Sequence, residues 1–443
     1  MIDLLPSRIR DRSEDGIFKE LSFLIRSGTL APGARLPTIR DVADKLDCSS
    51  TLVANVWISL RDAGLIATRR RGGSFVTDHR NPAPAGEGRA ASLDLSSSIG
   101  DRTLIPPLGA AFEHALSRAH LHAPSSEDIT EELREAAVAT WPYLPEAMMA
   151  MDEGSGASVL VLEAFAGPAR QVAVEEPCNP RILSDIRRLG MHPIGVRSDE
   201  NGPCPDALEE VLRSDIELLV IQPRTAIPTG RSIPRIRLAE LAAVISAQKR
   251  KIVVYEDDNY GILSGEAPRS LGEFLPDQVL ILRYYSKPFG FDMKISILAG
   301  TSAHLEELRK IPTFGGGRTS RIFQDTLAFL LSDPSYVLDV EKGWQSYLAR
   351  MQHLHRYADR HDLKLLSYAN SLTACVMVNN EQAVLLAMAG KGYILGPGSH
   401  CISSATVDPF IRVGLGNLPQ HAIPSFMEML AKTIKRKPSE IID

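Results

Sequence analysis

Long hydrophobic runs are missing from these 443 residues. None approaches the roughly 20 apolar residues a membrane-spanning helix needs, which argues against a helical membrane protein. The opening MIDLLPSRIRDR lacks the hydrophobic centre of a secretory signal, so the expected location is the cytoplasm. Cysteine is scarce: Cys48, Cys178, Cys204, Cys375 and Cys401 are odd in number and scattered without metal-ligand spacing. That pattern excludes a disulfide framework and a zinc site and leaves reduced thiols, with no metal expected. Internal repeats and low-complexity tracts are lacking too.

What is present is an ordinary globular composition, 44% hydrophobic and 23% charged. The chain is too long for one typical core, which predicts a small domain and a large one. The net charge of −5 conceals an asymmetry: residues 1–80 carry 13 Lys+Arg against 10 Asp+Glu, and the remainder 36 against 44. A mildly basic head on an acidic body is compatible with a nucleic-acid-binding module. Residues 81–89 (NPAPAGEGR) have no apolar periodicity and read as linker, here bounded at 81–94. Before it, three sets of apolar residues recur at helical spacing: Ile17, Leu21, Leu24 and Ile25; Ile39, Val42, Ala43 and Leu46; Val53, Val56, Trp57 and Leu60. Strand-like runs at 65–68 and 74–76 flank Arg69-Arg70-Arg71-Gly72-Gly73 and predict a hairpin. After the linker, apolar runs at 171–174, 193–196, 218–221, 252–255, 279–282 and 295–299 alternate with helical stretches. They predict an α/β domain over residues 95–443, with a largely parallel sheet covered on both faces. From about Ser335 onward, helices and the strand candidates 374–378 and 410–413 suggest a smaller α+β lobe.

The run from Ser27 through Pro32-Gly33-Ala34-Arg35-Leu36-Pro37-Thr38-Ile39-Arg40, continued by Val42-Ala43, Leu46, Gly64-Leu65-Ile66 and Gly73-Ser74-Phe75-Val76, closely resembles the winged helix-turn-helix of GntR regulators. A short turn at Asp47-Cys48-Ser49 sets the third helix across the second, so that its N-terminal end can enter the major groove of double-stranded operator DNA. The resemblance implies that Arg40, Ser49, Ser50 and Thr51 meet DNA and that the wing tip, Arg69, Arg70, Arg71 and Gly73, reaches phosphates or the minor groove. Guanidinium groups suit both tasks. The family often has Arg where Ser50 stands, which leaves fewer base-reading groups on this helix.

Pyridoxal phosphate chemistry needs a lysine to bond the aldehyde, an acid beside the pyridine nitrogen, a phenol near the ring hydroxyl and a phosphate cradle. Val253-Val254-Tyr255-Glu256-Asp257-Asp258-Asn259-Tyr260-Gly261 and Tyr285-Ser286-Lys287-Pro288-Phe289-Gly290 resemble, in order, two motifs of fold-type I aminotransferases. The resemblance implies that Lys287 makes the covalent link, the catalytic position in the enzymes, and that Asp257 pairs with the pyridine nitrogen. Tyr260 would meet the ring oxygen, with Ser286 beside the lysine. Glu153-Gly154-Ser155-Gly156-Ala157 opens an apolar helix, so Gly154, Ser155 and Gly156 are candidates to cup the phosphate with backbone N–H groups. Lys294 stands where the family has a phosphate-binding Arg. Gly396-Pro397-Gly398 and Phe410-Ile411-Arg412-Val413 resemble small-lobe elements in which Arg412 would hold an effector carboxylate.

A GntR head joined to an aminotransferase-like body resembles the MocR-type subfamily. This implies a homodimeric regulator that senses pyridoxal 5′-phosphate, alone or with an amine or amino acid. Some substitutions depart from the enzymes: Ile227 opens an Ile-Pro-Thr-Gly turn where they have Asn, and Asn179 stands where an aromatic ring usually stacks on the cofactor. The competing readings are a working aminotransferase carrying a DNA-binding head, and a regulator whose cofactor pocket is vestigial.

Overall fold

A computed structural model of the chain describes residue 9, residues 12–26, residue 30 and residues 34–62, 65–69, 73–76, 92–118, 127–152, 155–311, 319–404 and 407–435. Two units separate, Met1–Ala91 and Ser92–Asp443.

The first unit is built on α1 (Glu14–Arg26), α2 (Ile39–Leu46), α3 (Ser50–Asp62) and a hairpin of β1 (Ile66–Arg69) and β2 (Gly73–Val76). Its core takes Ile17, Leu21, Ile25, Val42, Leu46, Val53, Val56 and Leu60, all buried, from the three expected helical faces. Each contributes about 1.5–3 kcal/mol by leaving water. Thr38 and Asp41 form a reciprocal capping box that starts α2. Asp47 stops it in the left-handed region at φ 52°, its N–H bonded to the Ala43 carbonyl. The hairpin differs at both strands from the expected 65–68 and 74–76, because Leu65 turns into the helical core and Gly73 joins the ladder opposite Arg69. Gly73 has φ +89°, and a Cβ there would lie 3.3 Å from Arg35 Nε. Glycine is therefore the residue the wing geometry admits.

The second unit centres on an eight-stranded sheet. In chain order its strands are β4 (Ala147–Asp152), β5 (Gln171–Glu176), β6 (His192–Asp199), β7 (Gly202–Pro203), β8 (Leu218–Ile221), β9 (Val253–Asp258), β10 (Val279–Tyr284) and β11 (Ile295–Gly300), arranged 4-11-10-9-8-5-6-7. Strands β6, β5, β8, β9 and β10 pair in parallel. The expected run at 295–299 instead lies antiparallel to β10, and β4 lies antiparallel to it in turn. The Met-Met-Ala-Met centre of β4 was not foreseen as a strand, since burial on both faces removes any alternation. Apolar cores cover both faces of the sheet: Val254 and Ile281 face one, Tyr255 and Leu282 the other.

A four-stranded sheet forms the smaller lobe, in the order β12 (Thr373–Met377), β14 (Phe410–Gly414), β13 (Tyr393–Pro397) and β3 (Leu93–Leu95). The lobe is thus not purely C-terminal. Strand β3 pairs in parallel with β13, so Leu93 and Asp94, assigned by composition to the linker, lie in this sheet.

Candidate functional site

Asp257 and Lys287 come from neighbouring parallel strands. Asp257 is the penultimate residue of β9, in register with Leu282 of β10, and Lys287 stands on the short helix Ser286–Phe289 just past the end of β10. Open parallel sheets gather ligands outside such carboxyl ends. Lys287 lines a cavity of about 690 Å³ with Ser98, Ile99, Gly100, Arg102 and Ser286. Its ammonium donates to the Ser98 carbonyl at 3.2 Å and lies 5.4 Å from the centre of the Tyr260 ring.

Asp257 is 1% exposed. Its Oδ2 accepts from Asn179 Nδ2 at 2.9 Å and Gln222 Nε2 at 3.0 Å, while its Oδ1 is buried with no hydrogen-bond partner. Burial pushes its carboxyl up to about 6, against the pull of Asn179 and Arg181. An unpaired buried carboxylate oxygen is expensive to keep unless something meets it. A protonated pyridine nitrogen is such a group.

The other expected residues are placed less uniformly. Tyr260 is buried, its hydroxyl accepting from the Leu372 N–H at 3.1 Å, and burial raises its phenol to about 12. It can still donate its proton to a ring oxygen. Ser155 and Gly156 begin the helix Ser155–Phe165, and a Cβ at exposed Gly156 would meet nothing within 4 Å. Gly154 lies outside the described residues. Lys294 is exposed, its ammonium 5.8 Å from the Phe291 ring centre. Arg412 is 7% exposed on β14. Its Nε donates to the Pro397 carbonyl at 3.1 Å, and among the described residues no acidic side chain forms an ion pair with it. A buried guanidinium in that state suits a carboxylate ligand.

Buried charges around Asp257 escaped the sequence reading. Arg224 grips Asp258 with two bonds, at 3.1 and 2.8 Å, and Arg283 adds a third at 2.6 Å while lying over Trp141. Burial alone would raise Asp258, but the two guanidiniums outweigh it and hold the carboxyl far below its usual range. Burial lifts Glu175 to about 7 despite Arg231, and Glu256 to about 8 despite bonds from Ser270 and the Leu271 N–H. In both, the folded chain holds a proton that the unfolded chain has released, so stability falls as pH rises through these values. His304, depressed to about 4 by burial, acts oppositely but only below its ordinary value of 6.5. Thermal melts of the full chain should therefore show a loss of about 2 kcal/mol between pH 6.5 and 8. Most of that slope should vanish in Glu256→Gln; an unchanged slope there refutes the assignment.

In the head, Arg40 in the first turn of α2 and Ser49, Ser50 and Thr51 at the start of α3 are all exposed. Ser49 Oγ accepts from the Leu52 N–H at 3.1 Å, capping α3, which leaves its hydroxyl proton and one lone pair unused by that bond. Arg69 closes β1 opposite exposed Gly73. Arg70 and Arg71 lie outside the described residues. Among the described residues no helix is long and apolar enough to cross a membrane.

Residues 14–76 match the family model for bacterial regulatory proteins of the gntR family. An HTH-type transcriptional regulator of Mycobacterium tuberculosis, Rv1152, is 39% identical over 87 residues, 18% of this chain and 72% of the relative. The vitamin B6 salvage pathway transcriptional repressor PtsJ of Salmonella typhimurium is 27% identical over 402 residues, covering 88% of this chain and 91% of that one. Among solved structures, an archaeal alanine:glyoxylate aminotransferase superposes with a TM-score of 0.70 at 19% identity, over 79% of this chain and 92% of its own. That likeness fixes the fold of the large unit as that of fold-type I aminotransferases. With a gntR-type head and an aminotransferase-like body, the chain belongs to the GntR transcription regulators, in an arrangement consistent with their MocR-type branch.

Proposed function

We propose that this DNA-binding regulator senses pyridoxal 5′-phosphate in its aminotransferase-like domain, alone or together with an amine or amino acid. The observation that carries the reading is the buried Asp257 carboxylate, whose Oδ1 has no protein partner, on the strand beside the one that leads into Lys287. Lys287 would hold the cofactor covalently, Asp257 its ring nitrogen and Tyr260 its ring oxygen. The first turn at Ser155 and Gly156, with Gly154, would hold the phosphate, and Arg412 an effector carboxylate. When bound, pyridoxal phosphate supplies an aldehyde that links reversibly to amines, which suits a sensor of the vitamin or of its adducts. Similarity to a repressor of vitamin B6 salvage supports the same ligand class.

The departures favour sensing over turnover. Ile227 is buried and offers only its backbone N–H, already given to Gln222 Oε1 at 2.9 Å, so the polar group the enzymes place there is lacking. Asn179 is spent on Asp257 and Lys294 is a point charge on the surface. Catalysis needs tighter positioning than binding does. A dimer, as the resemblance implies, would present two heads to paired operator half-sites.

Titration of the full-length protein with pyridoxal phosphate, followed by visible absorption, tests the cofactor. A saturable band is expected in the wild type and none in Lys287→Ala. Absence of a band in both would overturn the cofactor assignment.

A further inference from the structure

Two amides converge on one oxygen of Asp257, and neither is free to turn over. Asn179 Oδ1 accepts from the Arg181 N–H at 3.1 Å, capping the helix Pro180–Arg188, and this fixes its Nδ2 toward Asp257 Oδ2. Gln222 Oε1 accepts from the Ile227 N–H at 2.9 Å, and this fixes its Nε2 toward Asp257 Oδ2 at 3.0 Å and the Asp257 carbonyl at 3.2 Å. Backbone N–H groups can only donate, so the amide orientations follow from the network itself. Gln222 is anchored once more, its own N–H donating to Glu175 Oε1 at 2.8 Å, and Glu175 is held by Arg231 at 3.1 Å. Asn179, Gln222, Asp257, Glu175 and Arg231 are all at most 5% exposed.

We infer that Asn179 and Gln222 are positioning residues that saturate Asp257 Oδ2 and leave Oδ1 as the one acceptor aimed at a protonated heteroaromatic nitrogen. This rests on the cofactor reading above and adds to it a role for Asn179. At a position where an aromatic residue would hold the ring by its face, this chain instead strengthens the grip on the ring's edge. The bond donated by Asn179 opposes the burial that would otherwise neutralise the Asp257 carboxylate. A neutral carboxylic acid would not hold a proton on the pyridine nitrogen. The anion does.

The test uses full-length protein loaded with pyridoxal phosphate labelled with ¹⁵N in the ring. Asn179→Ser keeps a capping oxygen for the helix but is too short to reach Asp257, and Asn179→Gly, also tolerated at a cap, is the second variant. In the wild type the ring nitrogen should resonate as protonated at pH 7. In both variants it should move to the unprotonated position, with the dissociation constant from absorption titration raised about tenfold or more, as expected for a lost bond to a charged group. A protonated ring and an affinity within twofold of wild type in both variants would overturn the positioning role. So would an unprotonated ring in the wild type. A wild type that forms no absorption band at all would instead bring down the cofactor reading, a result distinct from these.

Discussion

Replacing Arg69, Arg70 and Arg71 together by alanine should weaken DNA binding by roughly a thousandfold near 0.1 M salt, from the loss of about three phosphate contacts on each head. The same change should flatten the plot of log affinity against log salt by about 3 per head, since each neutralised phosphate releases close to one counterion. Arg69 ends β1 and pairs with Gly73, which opens β2 at φ +89°. Arg40→Ala is the contrasting variant. Exposed in the first turn of α2, it should lose affinity by an amount that depends on the base sequence if it reads a base edge, about 1–3 kcal/mol at its cognate pair. Fluorescence anisotropy on one DNA duplex across a salt series measures both. Unchanged affinity in both variants would remove these residues from the DNA-binding surface.

Asp257→Asn should move cofactor affinity and stability in opposite directions. The asparagine is nearly isosteric, but with no charge to set against a protonated ring the dissociation constant should rise about 10²- to 10³-fold, the scale of breaking a buried ionic hydrogen bond. The ligand-free protein should become more stable. Burial raises the Asp257 carboxyl to about 6, so ionising it opposes folding once the pH passes that value, and asparagine removes the penalty. Above pH 7 the gain should be about 2–3 kcal/mol, readable in a denaturant titration without cofactor. A site held at such a cost to the fold is a site kept for a ligand. Loss of both stability and binding would instead mark Asp257 as a structural residue.

Much of this was legible in the sequence because the relevant signals are local. Helical spacing found the core faces of the head, and the apolar runs marked six strands of the large sheet to within a few residues. Strand β4 was invisible, since a short stretch buried on both sides has no period to read, and β3 was hidden beside the linker because its partner, β13, lies some 300 residues away. The site shows the same division. Lys287, Asp257 and Tyr260 sit in contiguous motifs, whereas Asn179, read in sequence as a lost stacking ring, reaches Asp257 across 78 residues and has a bond of its own. Gln222, Glu175 and Arg231 carry no motif. Their meaning lies in the order of strands, which brings β5, β8 and β9 side by side. No spacing rule predicts that a buried carboxylate will keep one oxygen unmet.

Cofactor occupancy in the large domain should change DNA binding by the head. The direct measurement is the affinity of the full-length protein for a duplex it has itself selected from random sequence, with and without saturating pyridoxal phosphate, beside Lys287→Ala. At least about a fivefold change is expected on adding the cofactor to the wild type, the lower end of usual coupling between sites, and no response in Lys287→Ala. Equal affinities in a wild type whose absorption shows it fully loaded would contradict it.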